Sequence, residues 1–161
     1  MMNDRIAIYA GSFDPVTEGH LGIIRRAARL FRRLIVVVGY NPNKRTLFSI
    51  EQRMRFIREA TESLANVEVD SFTNELLIDY ARRKGSTIVV RGLRNSSDFR
   101  NEFLQSKMNQ EMMPELETVF LFSDLEDIFV SSTLVRHLIR TGGEYKSFVP
   151  ETVERETEND G

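Results

Sequence analysis

The sequence predicts an α/β fold: a five-stranded parallel sheet covered by helices on both faces. Five short, nearly continuous apolar runs rich in β-branched residues lie at 6–9, 34–38, 67–69, 87–90 and 118–122, the pattern of strands buried on both sides. Helical periodicity fills the gaps between them, and strand–helix alternation repeated in this way builds parallel sheets. At 161 residues the chain suits one core rather than two. No repeat or linker-like stretch divides it, so 1–161 is expected to be a single domain.

Taken in order, the first strand runs into Gly11-Ser12-Phe13-Asp14-Pro15-Val16-Thr17-Glu18-Gly19-His20, and a helical pattern begins near Leu21 with a stripe of Ile24, Ala27, Ala28 and Phe31. Asp14-Pro15 reads as a turn. Asn41-Pro42-Asn43-Lys44-Arg45 follows the second strand as a loop. Ser49 with Gln52 forms a capping box ahead of Met54, Ile57 and Leu64. Leu76, Leu77, Tyr80 and Ala81 make the stripe of a third helix, Arg91-Gly92-Leu93-Arg94 reads as a loop after the fourth strand, and further helices cover about 98–112 and 132–139. The polar, acidic segment 151–161 follows Pro150 and is expected to fray.

Composition narrows the function. The 22 Lys and Arg residues against 24 Asp and Glu give a net charge of -2, so there is no global electrostatic case for a nucleic-acid or membrane partner. With no cysteine, disulfides and thiolate chemistry are excluded. No apolar run approaches the roughly 20 residues that span a bilayer, and a cytoplasmic location is expected.

Ligands of parallel α/β sheets bind outside the carboxyl ends of the strands, where the chemistry-bearing residues of this chain gather. Gly11 to His20 leads into a helix whose first N–H groups lack partners and carry the positive end of its dipole, which suits a phosphate. Gly11 allows backbone geometry that a Cβ would forbid. Thr17 and His20, three residues apart, face one way as the helix opens, and a neutral or protonated imidazole there can hydrogen-bond charge developing on phosphorus. Lys44 can neutralise a phosphate from its loop, though most loop lysines are simply solvated. Arg91 and Arg94 can fork onto phosphate oxygens on either side of Gly92. Ser131-Ser132-Thr133 offers three hydroxyls before a helix, one of which ordinary N-capping would use. By contrast His137 reads as a helix-surface histidine, and Arg25, Arg26, Arg29, Arg32 and Arg33 as a solvated face. There is no Walker-type loop, no zinc-like cluster and no nucleophile–base pair for covalent catalysis.

A strand entering Gly-Ser-Phe-Asp-Pro-x-Thr-x-Gly-His resembles the signature of the nucleotidyltransferases related to class I aminoacyl-tRNA synthetases. Together with Asn41-Pro42-Asn43-Lys44, Arg91-Gly92-Leu93-Arg94, Asp98-Phe99, Glu102, Met108-Asn109, Met113-Pro114-Glu115-Leu116-Glu117 and Val130-Ser131-Ser132-Thr133, it resembles the bacterial phosphopantetheine adenylyltransferase family. The resemblance implies a Rossmann-like sheet, a homohexamer, and adenylyl transfer from ATP, accompanied by Mg2+, to 4′-phosphopantetheine, with coenzyme A as feedback inhibitor. It implies that His20 stabilises the transition state, that Ser12 hydrogen-bonds the reacting phosphates, and that Lys44 and Arg91 hold the acceptor phosphate with Leu77 beside the pantetheine arm. ATP contacts are implied for Ser12, Phe13, His20, Gly92, Leu93, Arg94 and Glu102, and for Asp127, Ile128, Phe129, Val130, Ser131, Ser132 and Thr133. Lys44 and Arg94 would share the catalytic role with His20 and Ser12. The chain departs from the family pattern at Asp127 and Ile128, at Asn101 and at His137, and these departures are expected to alter affinities rather than chemistry.

Overall fold

The computed structural model describes residues 5–40 and 43–159. Its strands are β1 (Ile6–Gly11), β2 (Arg33–Tyr40), β3 (Val67–Thr73), β4 (Ile88–Leu93) and β5 (Glu117–Phe122). The helices are α1 (Glu18–Leu30), α2 (Ile50–Ala60), α3 (Leu77–Lys84), α4 (Ser96–Met112), α5 (Ser132–Thr141) and α6 (Glu151–Asn159). All four strand pairings are parallel and the order is β3-β2-β1-β4-β5. The order reverses between β1 and β4, which opens a crevice above their carboxyl ends.

Alternation along β1 divides the core. Ala7 and Tyr9 pack on one face with Leu21, Ile24, Phe56, Val135 and Val153, drawn from α1, α2, α5 and α6. Ile8 and Ala10 pack on the other with Ile78, Tyr80 and Ala81 of α3 and with Met113 and Leu116. Because both faces are covered, the strands read as continuous apolar runs rather than alternating ones.

Three expectations change. Residues Arg91 to Leu93 are not a loop but the end of β4, paired with Phe120 to Phe122 of β5, so the Leu93 side chain is buried. Helix α1 starts at Glu18 rather than near Leu21, because Thr17 caps it. The segment expected to fray forms α6 over Glu151–Asn159. Val153 is buried, Gln52 donates to Glu156 at 2.5 Å, and Arg155 pairs with Glu59 at 3.0 Å. Those partners lie on α2, about a hundred residues earlier, so the tail's own composition gives no sign of them.

Candidate active site

A cavity of about 430 Å³ occupies the β1–β4 crevice, where the N-termini of α1 and α5 converge. Ser12, Phe13, His20, Lys44, Arg91, Gly92, Arg94, Glu102, Val130, Ser131, Ser132 and Thr133 all line it. Leu93 lies outside, buried in β4, and the segment Asp127 to Phe129 also lies outside. Asp127 instead faces Gly19 and Gly22 of α1, and the Phe129 side chain is exposed. Asn41 and Pro42 fall outside the described residues.

His20 occupies the third position of α1 and completes a reciprocal cap: the Thr17 backbone N–H donates to His20 Nδ1 at 3.0 Å, and the His20 N–H donates to Thr17 Oγ1 at 3.3 Å. A backbone N–H can only donate, so Nδ1 carries the lone pair and the neutral ring holds its proton on Nε2. Nε2 has no hydrogen-bond partner among the described residues. Burial lowers the imidazole pKa to about 4, and the guanidinium charges of Arg94 and Arg91 push the same way. Of the two protonation states left open by the sequence, the fold selects the neutral one.

The ring is set from below. Phe13, at φ 45, packs edge-on against His20 and against Tyr9, with centroids 5.0 and 5.3 Å apart. A Cβ on Gly11 would meet the Phe13 ring at 3.1 Å, so Gly11 serves close approach rather than an unusual backbone conformation. At Gly92 the reason is again packing, since a Cβ would meet Ile23 Cγ1 at 3.2 Å.

Both arginines are already held. Arg91 Nε and Nη2 each donate to Glu102 at 2.7 Å, and Nη1 donates to the Ala10 carbonyl at 2.7 Å. Burial opposes the Arg91 charge, but the Glu102 carboxylate outweighs it and holds its pKa above the ordinary value. Arg94 Nε donates to Asp98 at 2.9 Å and Nη1 to the Val130 carbonyl at 3.3 Å. Carboxylate partners fix the guanidinium planes before any ligand arrives. Lys44 is exposed at the rim. The three hydroxyls are also engaged: Ser131 Oγ accepts from Leu134 N–H, Ser132 Oγ donates to the Pro15 carbonyl at 2.7 Å, and Thr133 Oγ1 accepts from Arg136 Nη2.

Sequence reasoning passed over three residues that build this site. Arg136 lines the cavity and donates to the Asp14 carbonyl at 2.8 Å. The Asp14 carboxylate, read only as part of a turn, accepts the backbone N–H groups of Leu47 and Phe48 and so ties the phosphate loop to the segment after Lys44. Arg53 is fully buried and donates to the Ser12 carbonyl at 2.7 Å. The helical spacing Ser132–Arg136 was a signal for the first of these; the others depend on contacts across the fold.

A second cavity adjoins the first through Arg91 and Glu102, which line both. Its walls include Leu77, Ile78, Met108, Asn109 and Met112, making it largely apolar. The structure thus separates Leu77 from the polar cavity and places it in the adjoining one.

A crevice at the β1–β4 reversal, two converging helix N-termini and a neutral histidine ringed by fixed cations describe a nucleotidyltransferase, and residues 8–138 match the cytidylyltransferase-like family. The described fold is shared with a crystal structure from Vibrio parahaemolyticus, provisionally described as a nicotinate-nucleotide adenylyltransferase (TM-score 0.69, 16% identity, covering 99% of this chain and 94% of that one). Similarity in sequence is far higher to phosphopantetheine adenylyltransferases. That of Desulfatibacillum aliphaticivorans is 47% identical over 152 residues, covering 94% of this chain and 86% of the relative. That of Carboxydothermus hydrogenoformans is 47% identical over 150 residues, covering 93% and 92%, and that of Streptococcus pneumoniae is 43% identical over 159 residues, covering 99% and 98%. The chain belongs to the phosphopantetheine adenylyltransferase family.

Proposed function

We propose that this enzyme transfers the adenylyl group of ATP to 4′-phosphopantetheine, giving dephospho-coenzyme A and pyrophosphate in coenzyme A synthesis. The observation that carries the reading is His20, held neutral with its proton on Nε2 inside a cavity also lined by Arg91, Arg94 and Lys44. A phosphate oxygen of the acceptor attacks the α-phosphorus, and the bond from that phosphorus to the bridging oxygen of pyrophosphate breaks as the new one forms. No covalent enzyme intermediate is needed, so the protein contributes position and charge. His20 Nε2–H donates to a non-bridging α-phosphate oxygen as charge builds there. Lys44 and Arg91 hold the acceptor phosphate, Ser12 and Arg94 the nucleotide phosphates. Gly92, Glu102 and Val130 to Thr133 line the nucleotide side. The apolar cavity beside Leu77 accepts the pantetheine arm, a role supported by its adjoining the polar cavity at the shared residues Arg91 and Glu102.

Magnesium enters with the triphosphate as part of the substrate. Asp98 and Glu102 are engaged by arginines, which suits an ion that keeps mostly phosphate and water ligands. A homohexamer, feedback inhibition by coenzyme A and a cytoplasmic location complete the reading. Self-association is supported by α4, whose Phe103, Leu104, Met108 and Met112 are exposed; among the described residues no helix is long and apolar enough to cross a membrane.

Pyrophosphate release with MgATP tests the reaction, comparing 4′-phosphopantetheine, nicotinate mononucleotide and no acceptor. Release with 4′-phosphopantetheine alone is expected. Release with nicotinate mononucleotide would reassign the acceptor, and ATP binding without release would make the protein a nucleotide sensor.

A further inference from the structure

Tyr9 lies on the floor of the polar cavity, and the reading above gives it no task. It sits in the middle of the sheet, registered between Val36 and Val90, and only 5% of its surface is exposed. The ring's packing explains an aromatic residue here, because it supports Phe13, which in turn supports His20. The hydroxyl has no such explanation. It makes no hydrogen bond with any described residue, and its oxygen is not sealed in the core but opens onto the cavity that Tyr9 lines. A phenylalanine would fill the same space and support Phe13 equally well, so the hydroxyl adds only a polar group facing the cavity.

The hydroxyl is aimed at the cavity wall formed by β4. It lies 3.7 Å from where a Cβ of Gly92 would stand, and the charges that act on it most are Arg91, Glu102 and Arg94, all of which line the cavity. Arg91 has three of its five donors engaged, two by Glu102 and one by Ala10, so it offers an anion charge but few free N–H groups.

We infer that Tyr9 is a substrate-binding residue whose hydroxyl donates a hydrogen bond to a phosphate oxygen of the acceptor held by Arg91. The assignment rests on the adenylyltransferase reading. Arg91 supplies the charge and Tyr9 a directed neutral donor beside it. Burial raises the phenol's pKa, so the donor keeps its proton at any working pH.

Tyr9→Phe removes one oxygen and keeps the ring on Phe13. Titration calorimetry on the variant and the unaltered protein should show 4′-phosphopantetheine weakened roughly tenfold, the loss typical of a hydrogen bond to a charged group. ATP affinity should change less than about twofold, and pantetheine, which lacks the phosphate, should show no loss. Unchanged 4′-phosphopantetheine affinity, or equal weakening of ATP or pantetheine, overturns the assignment. A second measurement needs no variant: the Tyr9 ring-carbon resonance beside the oxygen should move on adding 4′-phosphopantetheine to the native enzyme, and its standing still would also overturn it. Failure of the unaltered enzyme to bind or use 4′-phosphopantetheine would overturn the substrate reading instead, and this assignment with it.

Discussion

In the polar cavity the imidazole and the guanidinium groups are held before a ligand arrives, with Lys44 exposed at the rim, whereas the cavity beyond the Arg91–Glu102 pair is walled by side chains that can adapt. His20 is held by Thr17, Arg91 by Glu102, Arg94 by Asp98, and Arg136 by Asp14 and Thr133. Across the shared ion pair stand Leu77, Met108 and Met112, with Met108 59% exposed. The difference teaches how one crevice can serve two tasks. Charge developing at phosphorus needs dipoles that do not reorganise, so that side is fixed. A flexible, weakly polar arm needs area rather than direction, and methionine supplies area that conforms.

The largest effect should come from the fixed side. His20→Ala is expected to lower kcat by about 10²- to 10³-fold while ATP affinity moves less than about threefold, because the interaction strengthens only in the transition state. Equal losses in single-turnover rate and ATP binding would reduce His20 to a binding residue. Next, Lys44→Ala should raise the KM for 4′-phosphopantetheine about tenfold, as loss of one charged phosphate contact does, with ATP nearly unaffected. An unmoved KM would leave Lys44 a solvated rim lysine.

On the adaptable side, Leu77→Ala should weaken 4′-phosphopantetheine by only about three- to tenfold, since truncation at a yielding apolar wall removes contact area without stranding a polar group. Steady-state kinetics with both substrates decide it: a hundredfold loss, or one shared with ATP, would erase the contrast between the cavities. The smallest effect is a predicted constancy. With the folded pKa of His20 lowered to about 4 from an unfolded value of 6.5, the ring stays neutral from pH 8 to about 5, and its titration should leave kcat flat there. The sign for stability follows from the same shift. The unfolded chain binds the proton first, so this histidine's contribution is present above about pH 6.5 and is lost as pH falls towards 4. An NMR titration of the imidazole with its midpoint above 6 would contradict the fixed, neutral ring.

The order of strands and helices was legible because burial on both faces turns each strand into an apolar run. The bounds of β4 were not. Arg91 and Gly92 look like loop residues, yet ladder partners on β5 carry the strand through them. Within the site, His20, Lys44, Arg91 and Arg94 announced themselves by type and by following strands, Ser12 was implied by the family resemblance, and the cavity gathers all five. The carboxylates that orient them were harder to assign. Glu102 sits on α4, eleven residues from Arg91, and nothing local says that its carboxylate grips that guanidinium. The resemblance implied ATP contacts for Asp127, Ile128 and Phe129 as well as for the serines; here the short turn at Leu125–Asp127 precedes α5 and these three do not line the cavity.

By itself the sequence determined the parallel α/β class, the phosphate loop from Gly11 to His20 and the cations that face it, because these depend on local periodicity, on turn chemistry and on residues adjacent in the chain. Only the tertiary structure decided which imidazole nitrogen bears the proton, which carboxylate holds each arginine, that the acidic tail docks as α6, and that Arg53 supports Ser12 from below. Those outcomes depend on burial and on partners distant in sequence, and neither exists until the chain has closed on itself.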